Sequence, residues 1–452
     1  MPATRIWLKN PLAIFTANGL DARGGLVLQD GLIVEVLGAG QQPSAPCSEV
    51  FDAREHVILP GLINTHHHMF QTLTRAHPAA INKELFPWLT ALFPIWARNV
   101  NVDNFRLAAR LALTELLMSG ATTISDHQYL YTAGLDAAMD IQAEEASALG
   151  LRMTLTRGSL NLTLEQGGNA VAGAVQDTDV ILADCERVLA RWHDPAEGAM
   201  TQVALAPCAP FNVTRELLVE TAALSAKCGC RLHTHLAETR DETAYCQEKF
   251  RCRPVDYLED VGWLNSRVWV AHGVHFNDEE VVRLGRAGVG VCHCPTSNMV
   301  LASGQCRTRE LERAGSPVGL GVDGSASNDN SNLIEAVRHA LMINRLTYDA
   351  SVTHLDALRW ATVGSARCLG RDDIGIIAAG KQADMALYSL DELRFSGAGD
   401  PLAALVLCGA HAADRVMIRG EWRVIDGAPL GVDVARLRAE HGAAALAFLK
   451  AL

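Results

Sequence analysis

The amino-acid sequence predicts an α/β protein built on a (β/α)8 TIM barrel, with a small β-sandwich formed from both chain ends. Eight short β-rich segments recur between residues 57 and 323, and stretches long enough for a helix separate them. This alternation implies parallel strands, and eight of them favour a closed barrel over an open sheet. The segments span residues 57–65, 121–126, 151–157, 202–207, 230–235, 267–272, 288–293 and 318–323.

The two flanks of the chain predict a second, smaller unit. Residues 25–36 and 416–425 alternate apolar and polar side chains around hairpin turns. Neither flank contains enough strands to fold alone, and the termini of a barrel lie close together. We therefore expect a composite β-sandwich from residues 1–59 and 376–452, and a barrel domain from residues 60–375.

The composition is that of a globular protein and excludes several classes of partner. Apolar residues make up 49% of the 452 residues and charged residues 20%, which is too apolar for a disordered chain. The formal charge of -12 and the absence of a long Lys/Arg run make nucleic acid and anionic membranes unexpected partners. The N-terminus lacks the apolar core of a signal peptide, so we expect a cytoplasmic protein whose twelve cysteines are free thiols.

Titratable side chains end several predicted strands, on the face where barrel enzymes build their active sites. His66 and His68 directly follow the first segment and share one face of the extended chain, whereas His67 points away. The fifth segment ends at His235, and the eighth ends at Asp323. Three imidazoles and a carboxylate suit Zn²⁺, with Fe²⁺ and Mn²⁺ as alternatives. We predict that these four residues are the metal ligands.

Five longer motifs surround these positions. They are Pro60-Gly61-Leu62-Ile63-Asn64-Thr65-His66-His67-His68, His235-Leu236-Ala237-Glu238-Thr239, Ala271-His272-Gly273, His293-Cys294-Pro295-Thr296-Ser297-Asn298 and Val322-Asp323-Gly324-Ser325-Ala326-Ser327-Asn328-Asp329. Together they resemble the amidohydrolase superfamily, specifically its cytosine-deaminase-like and triazine-hydrolase branch, over essentially the whole chain. The resemblance implies Glu238 and His272 as catalytic partners. Binuclear members carry a carbamylated lysine after the fourth strand, where this chain has Pro207-Cys208, so one Zn²⁺ per chain is favoured.

The resemblance and the chemistry together suggest a task for each catalytic side chain. Zinc lowers the pKa of its bound water to about 7, so hydroxide is available at neutral pH. Glu238 is expected to move a proton from that water to a ring nitrogen, and Asp323 to accept the second proton as ammonia leaves. His272 would orient the hydroxide or stabilise developing charge. Three more histidines are expected to be structural or to support the ligands: His233, His275 and His293.

Substrate contacts are expected from the loops that follow the strands. Gln71 offers a donor and an acceptor to a heterocyclic amide edge, although a surface glutamine is the plain alternative. Trp88 lies in the long connection after the first strand, where it faces a planar ring or packs in the core. Tyr129 and Cys208 follow the second and fourth strands. Asn298, beyond the seventh strand, contacts substrate or braces the rim.

Two runs, residues 64–75 and 298–305, are most similar to those of 8-oxoguanine deaminases and also resemble those of hydroxyatrazine-type ethylaminohydrolases. The resemblance implies hydrolysis of 8-oxoguanine to urate and ammonia, with isocytosine-like compounds as further substrates. The alternatives are an s-triazine aminohydrolase, a guanine or other purine deaminase, and a metal-binding protein without activity. Metal storage needs neither Glu238 nor His272, which argues against the last. The expected partners are a small heterocyclic substrate and, in a homo-oligomer, further copies of the chain.

Overall fold

The computed structural model describes residues 4–450, and its centre is a barrel of eight parallel strands arranged in chain order. The first and last barrel strands meet through backbone hydrogen bonds: Thr65 N–H donates to the Leu320 carbonyl at 3.0 Å, and Asp323 N–H donates to the His66 carbonyl at 3.1 Å. The predicted (β/α)8 barrel is confirmed, with β7–β14 as its strands. In chain order the strands are β1 (Arg5–Lys9), β2 (Ala13–Ile14), β3 (Gly25–Gln29), β4 (Leu32–Leu37), β5 (Glu49–Asp52), β6 (His56–Pro60), β7 (Leu62–Asn64), β8 (Ala121–Gln128), β9 (Arg152–Ser159), β10 (Thr201–Pro207), β11 (Arg231–Leu236), β12 (Val268–His272), β13 (Gly290–His293), β14 (Val318–Leu320), β15 (Met385–Ser389), β16 (Arg415–Ile418), β17 (Glu421–Ile425) and β18 (Ala428–Pro429).

Helices fill the connections between barrel strands, and short polar motifs set where they begin. The side chains of Thr214, Thr239 and Asn277 each accept a hydrogen bond from a backbone N–H group in the first turn of the helix that follows. No helix within residues 4–450 is long and apolar enough to cross a membrane. In chain order the helices are α1 (Leu85–Asn99), α2 (Val102–Met118), α3 (Ala138–Leu149), α4 (Thr178–Trp192), α5 (Arg215–Cys228), α6 (Arg240–Phe250), α7 (Pro254–Asp260), α8 (Asp278–Ala287), α9 (Pro295–Val300), α10 (Thr308–Ala314), α11 (Leu333–Thr347), α12 (His354–Arg359), α13 (Ser365–Cys368), α14 (Pro401–Ala404) and α15 (Val434–Leu449).

The first predicted strand, residues 57–65, is two strands in the structure. β6 pairs with β2 and β15 in a terminal sheet, whereas β7 pairs with β8 in the barrel. Gly61 separates them, and a Cβ atom at this position would overlap the side chain of Thr122. The chain therefore passes from one sheet to the other at a point where only glycine fits.

The two chain ends form two further sheets. The N-terminal end contributes a four-stranded sheet in the order β4-β3-β1-β5, and both ends combine in a six-stranded sheet in the order β18-β17-β16-β15-β6-β2. Apolar side chains of both sheets, such as Leu26, Ile58 and Met385, share one buried cluster, as expected for a sandwich. The exact domain boundaries at residues 59/60 and 375/376 stay a prediction.

The last helix of the C-terminal flank packs on the barrel rather than on the sheets. α15 lies against α1, α2 and the 3-10 turn Met69–Thr74, which follows the first barrel strand. His441 Nε2 lies 3.0 Å from the hydroxyl oxygen of Thr72, and both side chains are buried. The end of the chain thus supports the turn that continues from the predicted metal ligands.

Candidate metal centre and active site

The barrel brings the four predicted metal ligands together at the C-terminal ends of its strands. His66 and His68 follow β7, His235 lies on β11, and Asp323 lies three residues beyond β14. His68 Nε2 lies 3.2 Å from both His235 Nε2 and Asp323 Oδ1, and His66 Nε2 lies 3.3 Å from the same Asp323 oxygen. One ring nitrogen of His127 also lies within 4.8 Å of a ring nitrogen of each of the three predicted histidine ligands. Convergence of this many buried donors fits a metal centre.

Backbone carbonyls determine which nitrogen each of two ligands directs to the centre. His68 Nδ1 lies 2.9 Å from the His127 carbonyl oxygen, and His235 Nδ1 lies 2.6 Å from that of Cys208. A carbonyl oxygen only accepts hydrogen bonds, so each Nδ1 carries the hydrogen and each Nε2 keeps a lone pair. The two lone pairs then face one another across 3.2 Å. A cation between them removes that repulsion, so the donors fit a divalent metal.

The protonation states of the ligands fit the same conclusion. Burial lowers the pKa of His66 to about 3 and holds the pKa of His235 well below its usual value, so both imidazoles are neutral. His66 Nε2 is buried and has no hydrogen-bond partner within residues 4–450. Burial acts to raise the pKa of Asp323, but the adjacent imidazoles of His66 and His68 still hold it well below the usual range. Neutral imidazoles and an ionised carboxylate are the forms that bind metal.

Glu238 and His272 lie beside these ligands. His272 Nε2 is 3.4 Å from Glu238 Oε2 and 4.0 Å from Asp323 Oδ2. Burial raises the pKa of Glu238 well above its usual value, and the nearby Asp323 carboxylate adds to the effect. A carboxyl group with a raised pKa is suited to taking up a proton and giving it to a substrate nitrogen. The geometry thus places an acid and an imidazole beside the predicted metal ligands.

The backbone is strained at two of these residues. His272 has φ of 74° and Asp323 has φ of 65°, which places both in the left-handed region that residues other than glycine seldom adopt. Such conformations cost roughly 1–3 kcal/mol each and persist where surrounding contacts hold them. Strain that coincides with the convergent polar groups marks this rim as a functional site.

The predicted substrate residues fall into two groups. Gln71, Trp88, Tyr129 and Cys208 line a cavity beside the predicted ligands, with about 430 Å³ of empty space that includes its opening to solvent. Asn298 lies behind His272 instead, with its Oδ1 atom 3.0 Å from His272 Nδ1, and is not among the residues that line this cavity. Further lining residues that the sequence did not single out are Leu85, Leu89, Phe93, Ala209, Phe211, Asn212, Leu301 and Ser327.

Contacts in the cavity wall hold Gln71 and Trp88 in place. The Gln71 side-chain amide donates to the Tyr129 hydroxyl at 3.4 Å, and its oxygen accepts from the Ala326 N–H at 3.3 Å. The Trp88 indole N–H donates to the carbonyl oxygen of the same Ala326 at 3.0 Å. A Cβ atom at Gly324 would overlap the Gln71 amide, so a larger residue there would displace Gln71 from this position. The polar wall is therefore built before a ligand arrives.

The remaining histidines near the site have separate contacts. His67 points away from the predicted metal ligands and meets the Ser331 hydroxyl at 2.9 Å. His233 Nε2 lies 2.8 Å from His66 Nδ1, so it orients a predicted ligand directly. His275 Nε2 lies 2.9 Å from the Ser303 carbonyl oxygen. Both ring nitrogens of His293 are buried without a hydrogen-bond partner within residues 4–450.

Comparison with known proteins places this geometry in a family. The model of the amidohydrolase family matches residues 57–423. The chain is 59% identical to 8-oxoguanine deaminase from Pseudomonas aeruginosa over 99% of both chains, and 35% identical to hydroxydechloroatrazine ethylaminohydrolase from Pseudomonas sp. strain ADP over 90% of this chain and 87% of that one.

Solved structures agree with the sequence comparison. The crystal structure of an atrazine chlorohydrolase from Arthrobacter aurescens TC1, complexed with zinc, has a TM-score of 0.91 and 30% identity, and the match covers 97% of this chain and 100% of that one. The eight-stranded barrel, the buried histidine cluster and these similarities agree with one another. The chain therefore belongs to the amidohydrolase family, and it is a deaminase-type enzyme that hydrolyses a C–N bond.

Proposed function

We propose that this enzyme hydrolyses 8-oxoguanine to urate and ammonia. The observation that carries the proposal is 59% identity to an 8-oxoguanine deaminase over 99% of both chains. In the reaction, water adds to the ring carbon that bears the exocyclic amino group, the bond from that carbon to nitrogen breaks, and ammonia leaves. Isocytosine-like compounds present a similar cyclic amidine edge and are proposed as further substrates.

The residues fit one Zn²⁺ per chain, held by His66, His68, His235 and Asp323. This set combines neutral imidazole nitrogens with one carboxylate, and the sequence after β10 offers no lysine for a second, bridged metal. When bound, the metal supplies an acidified water as the nucleophile. The similar atrazine chlorohydrolase was crystallised with zinc, which supports this metal over Fe²⁺ and Mn²⁺. Elemental analysis of the purified protein measures both the metal and its stoichiometry.

Two carboxyl groups divide the proton transfers between them, and His272 assists. Glu238 Oε2 receives a proton from the attacking water and passes it to a ring nitrogen, which makes the neighbouring carbon more electrophilic. Asp323 Oδ2, 4.0 Å from His272 Nε2, takes the second proton of the added water and passes it to the amino group, which leaves as ammonia. His272 Nε2 lies close to both carboxyl groups and orients the nucleophile.

The cavity wall supports recognition of a planar, polar ring. Gln71 presents an amide that matches a ring N–H and carbonyl edge, while Trp88 and Tyr129 form an aromatic enclosure. Cys208 is a neutral thiol here, because burial raises its pKa well above the usual value. We assign all four side chains to substrate binding.

Ammonia release from a panel of heterocycles tests the proposed function. The zinc-loaded enzyme would be assayed with 8-oxoguanine, isocytosine, guanine, a pterin and hydroxyatrazine, with the Glu238→Gln variant as the control for contaminating activity. We expect the highest kcat/KM with 8-oxoguanine. A higher value with hydroxyatrazine or guanine would assign the enzyme to that substrate instead, and zinc binding without ammonia release from any compound would leave only a metal-binding protein.

We also propose that the enzyme is a cytoplasmic homo-oligomer that acts on a free small molecule. The net charge of -12 disfavours nucleic acid and anionic membranes as partners. Light scattering coupled to size-exclusion chromatography measures the oligomeric state, and a mass of one chain would contradict it. Cell fractionation against a cytoplasmic marker tests the location.

A further inference from the structure

A hydrogen bond to Asn298 orients the imidazole of His272. His272 Nδ1 lies 3.0 Å from Asn298 Oδ1, and each side chain is 1% exposed. A carboxamide oxygen only accepts hydrogen bonds, so this contact requires the hydrogen of the neutral imidazole on Nδ1. We propose that Asn298 is a positioning residue that holds His272 in this tautomer, and this inference rests on the deaminase function proposed above.

The tautomer matters because the other ring nitrogen faces the reacting groups. His272 Nε2 is 3.4 Å from Glu238 Oε2 and 4.0 Å from Asp323 Oδ2. With its hydrogen on Nδ1, the ring presents a lone pair to this position and accepts a hydrogen bond from a water or a protonated carboxyl group. The opposite tautomer would direct an N–H group there and leave two acceptors facing one another at Asn298.

The backbone fixes where the His272 side chain starts but not which way its ring turns. The left-handed φ of 74° at His272 is held by the next residues, because the N–H of Gly273 bonds to the Leu236 carbonyl at 3.2 Å and that of His275 to the Ala237 carbonyl at 2.9 Å. The His272 ring stacks on His235 at 5.5 Å between centroids. Stacking tolerates a half-turn of the ring, so an acceptor such as Asn298 is needed to select one orientation.

Asn298 is itself held by the short helix α9. Its N–H donates to the Cys294 carbonyl at 3.0 Å, and its own carbonyl accepts from the Ser303 N–H at 2.9 Å. Because Asn298 is not among the lining residues of the substrate cavity, it acts on the reacting atoms through His272. This position gives Asn298 a role, which the sequence alone left as either contact with the substrate or support of the barrel rim.

Two substitutions of similar size separate this role from a merely structural one. Asn298→Leu removes the acceptor, whereas Asn298→Asp keeps an oxygen that can accept from His272. Zinc per chain, kcat, KM and the ¹⁵N spectrum of the His272 imidazole would be measured for both variants and the wild type, with the His272 signal assigned from its loss in His272→Gln. The imidazole spectrum reports the tautomer independently of turnover.

We expect the wild type and Asn298→Asp to carry the hydrogen on Nδ1, and Asn298→Leu to show a mixture of tautomers. The kcat of Asn298→Leu should fall by about 10- to 100-fold at an unchanged zinc content, with KM little altered. An unchanged tautomer in Asn298→Leu, a wild-type ring protonated on Nε2, or a rise in KM at constant kcat would overturn the proposal. Failure to deaminate 8-oxoguanine would contradict the proposed substrate, while the imidazole spectra would still decide the role of Asn298.

Discussion

The Nδ1 atom of His66 lies 2.8 Å from the Nε2 atom of His233. On the far side of the second ring, His233 Nδ1 lies 2.9 Å from the Trp269 carbonyl oxygen. The carbonyl only accepts, so His233 donates through Nδ1 and accepts through Nε2. His66 then donates through its own Nδ1 and keeps a lone pair on Nε2. The backbone carbonyl of Trp269 thus selects the nitrogen that His66 would offer to a metal.

Replacing His233 with leucine should weaken zinc binding by about 10- to 100-fold, the usual effect of removing a group that orients a ligand. His66 would lose its only acceptor at Nδ1 within residues 4–450 and would no longer be confined to one tautomer. Competition with a chromophoric chelator measures the affinity. His233→Gln, which offers a side-chain oxygen to His66, is the matched control and should retain more of the zinc affinity than the leucine variant. Equal affinities for the wild type and the leucine variant would contradict a role in orienting His66.

The Glu238→Gln variant should bind zinc normally and lose at least about 100-fold in kcat. The substitution preserves the shape of the side chain but removes its ability to give and take a proton, a function worth roughly 10²–10⁴ in rate. Glu238 makes no direct contact with the three histidine ligands among the described hydrogen bonds and ion pairs, so metal content should not change. Ammonia release measures the loss of activity, and elemental analysis of the same sample measures the zinc content. Full activity would remove Glu238 from the mechanism.

The sequence was sufficient to predict that the four proposed ligands lie together, because this follows from strand geometry. Parallel barrel strands all end on one face, so side chains at the ends of β7 and β11 and beyond β14 must converge there. His66, His68, His235 and Asp323 lie together for that reason. Their roles as ligands stay a prediction, but the convergence does not depend on the details of side-chain packing.

Other parts of the site depend on packing that a sequence pattern does not specify. Leu85, Leu89 and Phe93 recur at helical spacing on α1, which predicts a buried face but not that this face covers the cavity. Asn298 lies on the six-residue helix α9, and its direction toward His272 depends on how that helix docks. Both features depend on how helices pack in the folded protein, which a local sequence motif does not specify.

The Gln71→Leu variant should raise the KM for 8-oxoguanine by about 5- to 100-fold, with a smaller effect on kcat. Leucine keeps much of the volume of the glutamine side chain but leaves polar atoms of the substrate ring without hydrogen-bond partners. The cost is roughly 1–3 kcal/mol. Steady-state kinetics of ammonia release measure the change. Tyr129→Phe is the control, because it removes only the hydroxyl that Gln71 contacts at 3.4 Å, and its KM should rise less. A fall in kcat at constant KM would place Gln71 in the chemical step instead.

Acid should destabilise the contact between the C-terminal helix and the barrel. Burial, with the nearby Arg75 guanidinium, lowers the pKa of His441 to about 4, whereas an exposed histidine titrates near 6.5. Because the folded state disfavours the protonated ring, the stabilising contribution of neutral His441 is fully present above pH 6.5. It is lost as the pH falls from 6.5 toward 4, and the loss amounts to about 3 kcal/mol when complete.

Urea unfolding of the wild type and His441→Gln at several values of pH between 7.5 and 4.5 tests this expectation. The free energy of unfolding of the wild type should fall relative to that of the variant, by about 2 kcal/mol at pH 5. Thr72→Val removes the hydrogen-bond partner at 3.0 Å but keeps the titrating ring, so it should lose stability while retaining most of the wild-type dependence on pH. If the wild type and His441→Gln lose stability in parallel, His441 is not the group that senses acid, because the variant lacks the His441 ring.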